Sequence, residues 1–175
     1  MPESIGTERL LLRPLDADDL DALHVLWTER RFRHFLWDGE IIARDLTAQI
    51  IAKNSQLFAA GDVGIWGVRE RGADALLGIA GFWEFHAPPV RELLFGVAPA
   101  RWNGGVATEA ARAVVDTGFA SAGFDAIQGS CDRDNRASVR VMEKLGMQRR
   151  RGHRPGQGAI EFYGLTRARW HASGQ

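Results

Sequence analysis

Residues 92–109 run ELLFGVAPARWNGGVATE. The apolar residues up to Val97 read as a strand, Pro99 breaks it, and Gly104-Gly105 opens a helix. Glycines at a strand-to-helix turn let the backbone come close to a ligand. The first amides of a helix have no partner within it and carry partial positive charge. Such a turn binds a diphosphate without any lysine. There is no Gly-Lys-Ser/Thr, so this is no Walker loop, and the three-glycine spacing of a dinucleotide fingerprint is absent. A Gly-Gly pair before a helix is also an ordinary turn, and taken alone it leaves both readings open.

On the N-terminal side, Thr7–Arg13 reads as a first strand stopped by Pro14. Asp16–Arg30 reads as a helix with Leu20, Leu23 and Trp27 at helical spacing. Arg44–Ala60 is a second, with Leu46, Ile50 and Leu57 on one stripe and Gly61 as its stop. Val63–Glu70, Leu76–Phe85 and Arg91–Val97 are rich in β-branched and aromatic residues and are separated by turn clusters, an antiparallel meander. On the C-terminal side, Val106–Ala122 is a helix, Asp125–Cys131 a strand and Arg136–Leu145 a helix. Met147–His153 and Ala159–Arg167 form a closing hairpin around Pro155-Gly156-Gln157-Gly158. The fold class expected is α/β (α+β): a mixed, mostly antiparallel central sheet of six to seven strands flanked by four helices. The order is not a regular βαβ alternation, which argues against a Rossmann-type fold.

The chain has 175 residues, 45% of them hydrophobic and 25% charged, which suits one folded domain. A single Cys excludes an intrachain disulfide framework, and the five His show no metal-ligand spacing, so no metal is expected. No apolar run reaches the ~18 residues of a membrane span. No basic region precedes an apolar stretch at Met1-Pro2-Glu3-Ser4, so no secretory signal is expected and the expected location is cytoplasmic. Formal net charge is zero, which argues against general nucleic-acid binding. Residues 1–99 hold 10 Lys and Arg against 15 Asp and Glu, and the remainder hold 12 against 7. That asymmetry suits a cationic and an anionic ligand at the two ends, or an ordinary solvated surface.

A second motif follows: Asp134-Asn135-Arg136-Ala137-Ser138, then a helix ending in Lys144-Leu145-Gly146-Met147. Asn135 is a good N-cap and Gly146 a good C-terminal stop. Together, WNGGVATEA and NRAS…KLGM resemble the two signature motifs of the GNAT N-acetyltransferases. The opening TERLLLRPL, the GIAGFW strand and the closing FYGLTRARW are similar to the branch that holds the ribosomal-protein alanine N-acetyltransferases of the RimJ/RimL type. The resemblance runs from about Thr7 to Trp170.

The resemblance implies a sheet splayed between the fourth and fifth strands, acetyl-CoA as co-substrate and an amine as acceptor. Amides of Asn103, Gly104, Gly105, Val106, Ala107 and Thr108 would cradle the pyrophosphate. Trp102 stands where the family pattern has Arg or Gln, with Arg101 beside it. The exposed backbone of Phe95, Gly96 and Val97 would pair with the pantetheine arm, and Asn135 would reach it too. Arg136, Arg140 and Lys144 are placed either for the nucleotide phosphates or for a solvated helix face. The resemblance also allows a homodimer.

Acetyl transfer to an amine needs a neutral nucleophile, a donor to the oxyanion and a proton for the departing thiolate. Glu92 and Glu84 are the candidate bases, each with surface carboxylate as the other reading. Glu92 matches a recurrent Glu of the branch, and Glu84 lies among Phe82, Trp83 and Phe85. Ser138 stands where the branch has its acid, and capping is its plainer role. The only Tyr, Tyr163, suits packing rather than catalysis. Phe32, Phe35 and Trp37, with Trp83, are candidates for an acceptor-pocket wall, with core packing as the alternative. Cys131 reads as a small buried residue. The rival functions are a non-catalytic acyl-CoA sensor and a nucleotide-binding protein using the same glycine turn.

Overall fold

The strands form two antiparallel sheets rather than one. The computed structural model describes residues 4–86, 88–150 and 160–172. In the first sheet β1 (Ile5–Gly6), β2 (Leu10–Pro14), β3 (Ile65–Glu70), β4 (Gly78–Phe85) and β5 (Val90–Val97) follow one another in chain order. In the second, β8 (Ile160–Thr166) lies between β6 (Ala126–Asp132) and β7 (Gln148–Arg149). All strand pairs among the described residues are antiparallel. The splay expected between the fourth and fifth strands is the gap between β5 and β6. The extra strand is the two-residue β1. The turn around Pro155 to Gly158 lies outside the described residues.

The helices are α1 (Leu20–Thr28), α2 (Arg30–Leu36), α3 (Arg44–Ala59), α4 (Val106–Ala120), α5 (Arg136–Lys144) and α6 (Arg167–Ala172). Four were expected. The run Asp16–Arg30 is not one helix, because Glu29 turns extended (ψ 128°) and its side chain accepts from the Phe32 amide, capping a new helix. The strand expected to run to Arg167 stops at Thr166, and α6 begins there.

Period-two alternation divides the core into two layers. Trp66, Val68, Ala80, Phe82 and Leu93 face α4, where Ala110, Ala111, Val114 and Val115 are buried. Ile65 and Ile79 face the other way, onto Leu23, Trp27, Phe32 and Ile51 of the first three helices. The stripe expected on α3 is displaced. Thr47, Ile51 and Asn54 are buried, while Leu46 is exposed and Ile50 and Leu57 are half-buried. Asn54 sets this rotation. Its amide donates to the Leu15 and Ile65 carbonyls at 3.2 and 3.0 Å, and its oxygen accepts from the Ile65 amide at 2.6 Å. A buried side-chain amide needs such partners, so it outranks the apolar stripe in orienting the helix.

Candidate active site

The gap between β5 and β6 opens into a cavity of about 710 Å³. The strands meet at Gly129, where an added Cβ would lie 3.7 Å from the Leu93 carbonyl oxygen. Beyond that point β5 is the edge of its sheet, since among the described residues it pairs only with β4. Backbone groups of Phe95, Gly96 and Val97 that face away from β4 therefore lack ladder partners and line the cavity. Gly96 lies close against Phe32: a Cβ there would sit 2.8 Å from Cζ of that ring, which would have to shift.

At one end of the cavity lies the glycine turn. Asn103 and Gly105 have φ of 62° and 79°, and Gly105 is the N-cap of α4. Among the described residues no side chain caps this helix, so its first amides are unclaimed there. Arg9 secures the turn from outside, donating to the Gly104 carbonyl at 3.0 Å and pairing with Glu109 at 2.7 Å. Burial raises the Glu109 carboxyl, but hydrogen bonds from Thr7 and Arg9 outweigh it and hold the group below its ordinary range. Trp102 donates its indole N–H to the Val97 carbonyl at 2.8 Å, and the Arg31 guanidinium stacks 4.4 Å from its ring centroid. Arg101 is paired with Glu70 at 2.9 Å. Arg136, Arg140 and Lys144 line the cavity and form no ion pair among the described residues. Asn135 caps α5 by accepting from the Ser138 amide at 3.1 Å, and both residues line the cavity.

Glu92 lies deeper. It is 2% exposed and lines the cavity. The Ser130 hydroxyl donates to its Oε2 at 2.5 Å, and His86 Nε2 is 3.2 Å from its Oε1. Cys131 and Asp132 line the same wall. Burial, with the Glu161 and Asp132 carboxylates adding to it, pushes the Cys131 thiol up to about 12. Burial and the Asp38 and Asp134 carboxylates raise Asp132, against an opposing His34.

The structure thus brings Glu92, Ser138, Asn135, Phe32, Phe35, the Phe95–Val97 segment and most of the glycine turn to one cavity. Four expected residues stand apart. Gly104 faces Arg9 and not the cavity. Glu84 is 45% exposed and 3.4 Å from Lys53. Trp83 stands across from Glu92 in the β4–β5 register, so alternation turns Glu84 to the opposite face. Trp83 itself carries the Lys53 ammonium 4.9 Å from its ring centroid, outside the cavity. Trp37 packs edge-on to Trp27 at 5.4 Å. Arg31, His86 and Ser130 were missed. Each reaches the cavity from a separate element, and no local spacing links them.

A cavity with unclaimed helix amides and, among the described residues, unpaired cations at one end, a strand edge open but for the Val97 carbonyl along its side and a buried carboxylate beyond fits a long phosphorylated thioester. The family profile for the acetyltransferase (GNAT) domain matches residues 9–148. The chain belongs to the GNAT acetyltransferase family. Acetyl-CoA is the donor this family uses. The Bacillus subtilis relative named "Uncharacterized N-acetyltransferase YnaD" is 28% identical over 148 residues, covering 83% of this chain and 82% of its own length. A GNAT-family acetyltransferase from Bacillus anthracis superposes with TM-score 0.75 at 26% identity, covering 93% of this chain and 98% of that one. RimL, a ribosomal alpha-N-protein acetyltransferase solved with coenzyme A, shares the fold at TM-score 0.78 and 16% identity, over 94% of this chain and 98% of that one. This GNAT chain lines the cavity with β5, α4 and α5 on one side and with α2 and β6 on the other.

Proposed function

We propose that the protein transfers the acetyl group of acetyl-CoA to a primary amine by direct attack in a ternary complex. The observation that carries this reading is the alignment in one cavity of the α4 amides, the free edge of β5 and buried Glu92. The diphosphate rests on the turn from Trp102 to Thr108, and the pantetheine follows Phe95 to Val97. The amine nitrogen forms a bond to the carbonyl carbon, the C–S bond breaks, and Glu92 takes the amine's surplus proton. A β5 backbone amide donates to the oxyanion, and the Ser138 hydroxyl, which has no partner among the described residues, passes a proton to the thiolate as it takes one from solvent water.

The acceptor we favour is a protein N-terminus. An α-amine titrates near ~7.7–8.0 and a lysine near ~10.4, so roughly a tenth of α-amines are already neutral at pH 7. One carboxylate is then base enough. The likeness of fold to RimL is in keeping with this choice.

A thiol-release assay with acetyl-CoA tests the reading against a panel of amines that includes peptides starting with Ala and Ser. Release with an α-amine is expected. Glu92→Gln should lower kcat by about 100-fold with little change in acceptor KM. No release with any member of the panel overturns the proposal.

A further inference from the structure

Glu92 is a buried carboxylate whose partners among the described residues are two: the Ser130 hydroxyl at 2.5 Å and His86 Nε2 at 3.2 Å. His86 Nε2 also lies 3.3 Å from the Ser130 oxygen, which closes the group into a triangle. The three side chains come from the end of β4, from β5 and from β6, so the group spans the splay itself. The Phe162 ring of β8 lies against the imidazole, 5.7 Å between centroids. His86 takes a left-handed backbone (φ 70°), uncommon outside glycine although His, Asn and Asp adopt it more readily than other residues. Such a backbone persists only where its surroundings enforce it, and it here aims an imidazole at a carboxylate inside the cavity.

A carboxylate that takes a proton at each turnover must also lose it. At 2% exposure Glu92 has almost no contact with solvent, whereas the His86 side chain is 10% exposed. We propose that His86 is the residue through which Glu92 works: it orients the carboxylate with Ser130 and carries off the proton that Glu92 removes from the acceptor amine. This rests on the acetyl-transfer reading above. An N–H bond of the amine breaks as a Glu92 O–H bond forms. That bond then breaks as Nε2 of the His86 tautomer that carries its hydrogen on Nδ1 gains the proton, and the imidazolium returns a proton to water at the cavity surface. No redox partner or further reactant enters. Imidazole suits the step because its ordinary pKa lies near neutrality. Ser130 stays with the carboxylate throughout and fixes which oxygen faces His86.

Four proteins test the proposal: the wild type, His86→Gly, Glu92→Gln and the double variant. Glycine is chosen because it accepts the left-handed backbone at position 86 and leaves space where the ring stood. The expected result is a 10- to 100-fold lower kcat in His86→Gly, an order of magnitude set by general acid–base catalysis. Acceptor KM should stay within about twofold, and acetyl-CoA binding by calorimetry should be unchanged. Added imidazole should restore kcat at least threefold in His86→Gly and in neither of the other variants. The double variant should be no slower than Glu92→Gln, because residues acting in series do not add. A His86→Gly kcat within twofold of wild type overturns the proposal while acetyl transfer stands. So do fully additive losses without imidazole rescue, which mark His86 as scaffold only. A wild type that releases no thiol with any amine overturns both readings, and that silence of all four proteins is distinct from a change confined to one.

Discussion

Gly105 is the N-cap of α4 at one end of the cavity, and replacing it with valine gives a quantitative test of the proposed coenzyme site. Its φ of 79° lies where a β-branched residue is an outlier, and left-handed backbone costs about 1–2 kcal/mol for an L-residue. An added Cβ would also sit 3.3 Å from an Arg9 guanidinium nitrogen, so the clamp on the turn has to give by a few tenths of an ångström. For a chain of this size 1 kcal/mol moves Tm by about 2–4 °C, so strain kept in the free Gly105→Val protein lowers Tm by up to about 2–8 °C, whereas strain shed by relaxation leaves Tm nearer wild type. The free protein escapes the strain by straightening residue 105, which swings the first α4 amides away from the cavity. Acetyl-CoA must restore the turn before it binds, and the same 1–2 kcal/mol appears as an affinity about 5- to 30-fold weaker. Gly104→Ala is the control. Its φ is not positive, and its Cβ would have only the Arg101 carbonyl at 3.5 Å and Val106 at 4.0 Å as neighbours. It should melt within about 1 °C of wild type and bind within twofold. Calorimetric titration with acetyl-CoA and thermal unfolding give both numbers. Wild-type affinity in Gly105→Val, or equal damage from the two substitutions, refutes the reasoning.

Glu84→Gln should leave kcat within twofold in the assay that shows the Glu92→Gln loss, because Glu84 is half-exposed and outside the cavity. Cys131, its thiol held up at about 12, should react with iodoacetamide at pH 8 about a thousandfold more slowly than free cysteine, and coenzyme should slow it further. An unprotected rate near that of free cysteine contradicts the burial described. Glu109→Gln should lower stability to urea by about 1 kcal/mol at pH 7, since the amide keeps the Thr7 bond but loses the Arg9 pair. The Glu109 carboxyl is held below its ordinary 4.5, so its contribution is complete above that pH and is lost as pH falls through the folded value. The gap between wild type and variant should therefore close in acid, and a gap that widens there has the wrong sign.

The parts of this molecule legible in the sequence are those set by local rules. The meander, the proline break and the Gly-Gly opening of α4 obey period and turn chemistry, and each lies where the residues indicate. Asn135 caps α5 through a contact three residues long. What was not legible depends on contacts distant in the chain. The helix after Asp16 divides because of a single backbone angle at Glu29, which hydrophobic spacing does not register. The face of α3 follows Asn54, whose partners are 11 and 39 residues away. Glu84 and Glu92 look alike in sequence, and only the register that sets Trp83 against Glu92 separates them. His86 and Ser130 lie 44 residues apart and meet Glu92 across two sheets, a juxtaposition no spacing encodes.

The central claim is that main-chain nitrogens at the start of α4 hold the coenzyme's diphosphate and that β5 leads its thiol end to Glu92. A crystal structure of the protein grown with coenzyme A tests it most directly. The account predicts phosphate oxygens within about 3 Å of amide nitrogens between Asn103 and Thr108, with the sulfur on the Glu92 side of Val97. A diphosphate seated elsewhere, with those amides facing only water, contradicts it.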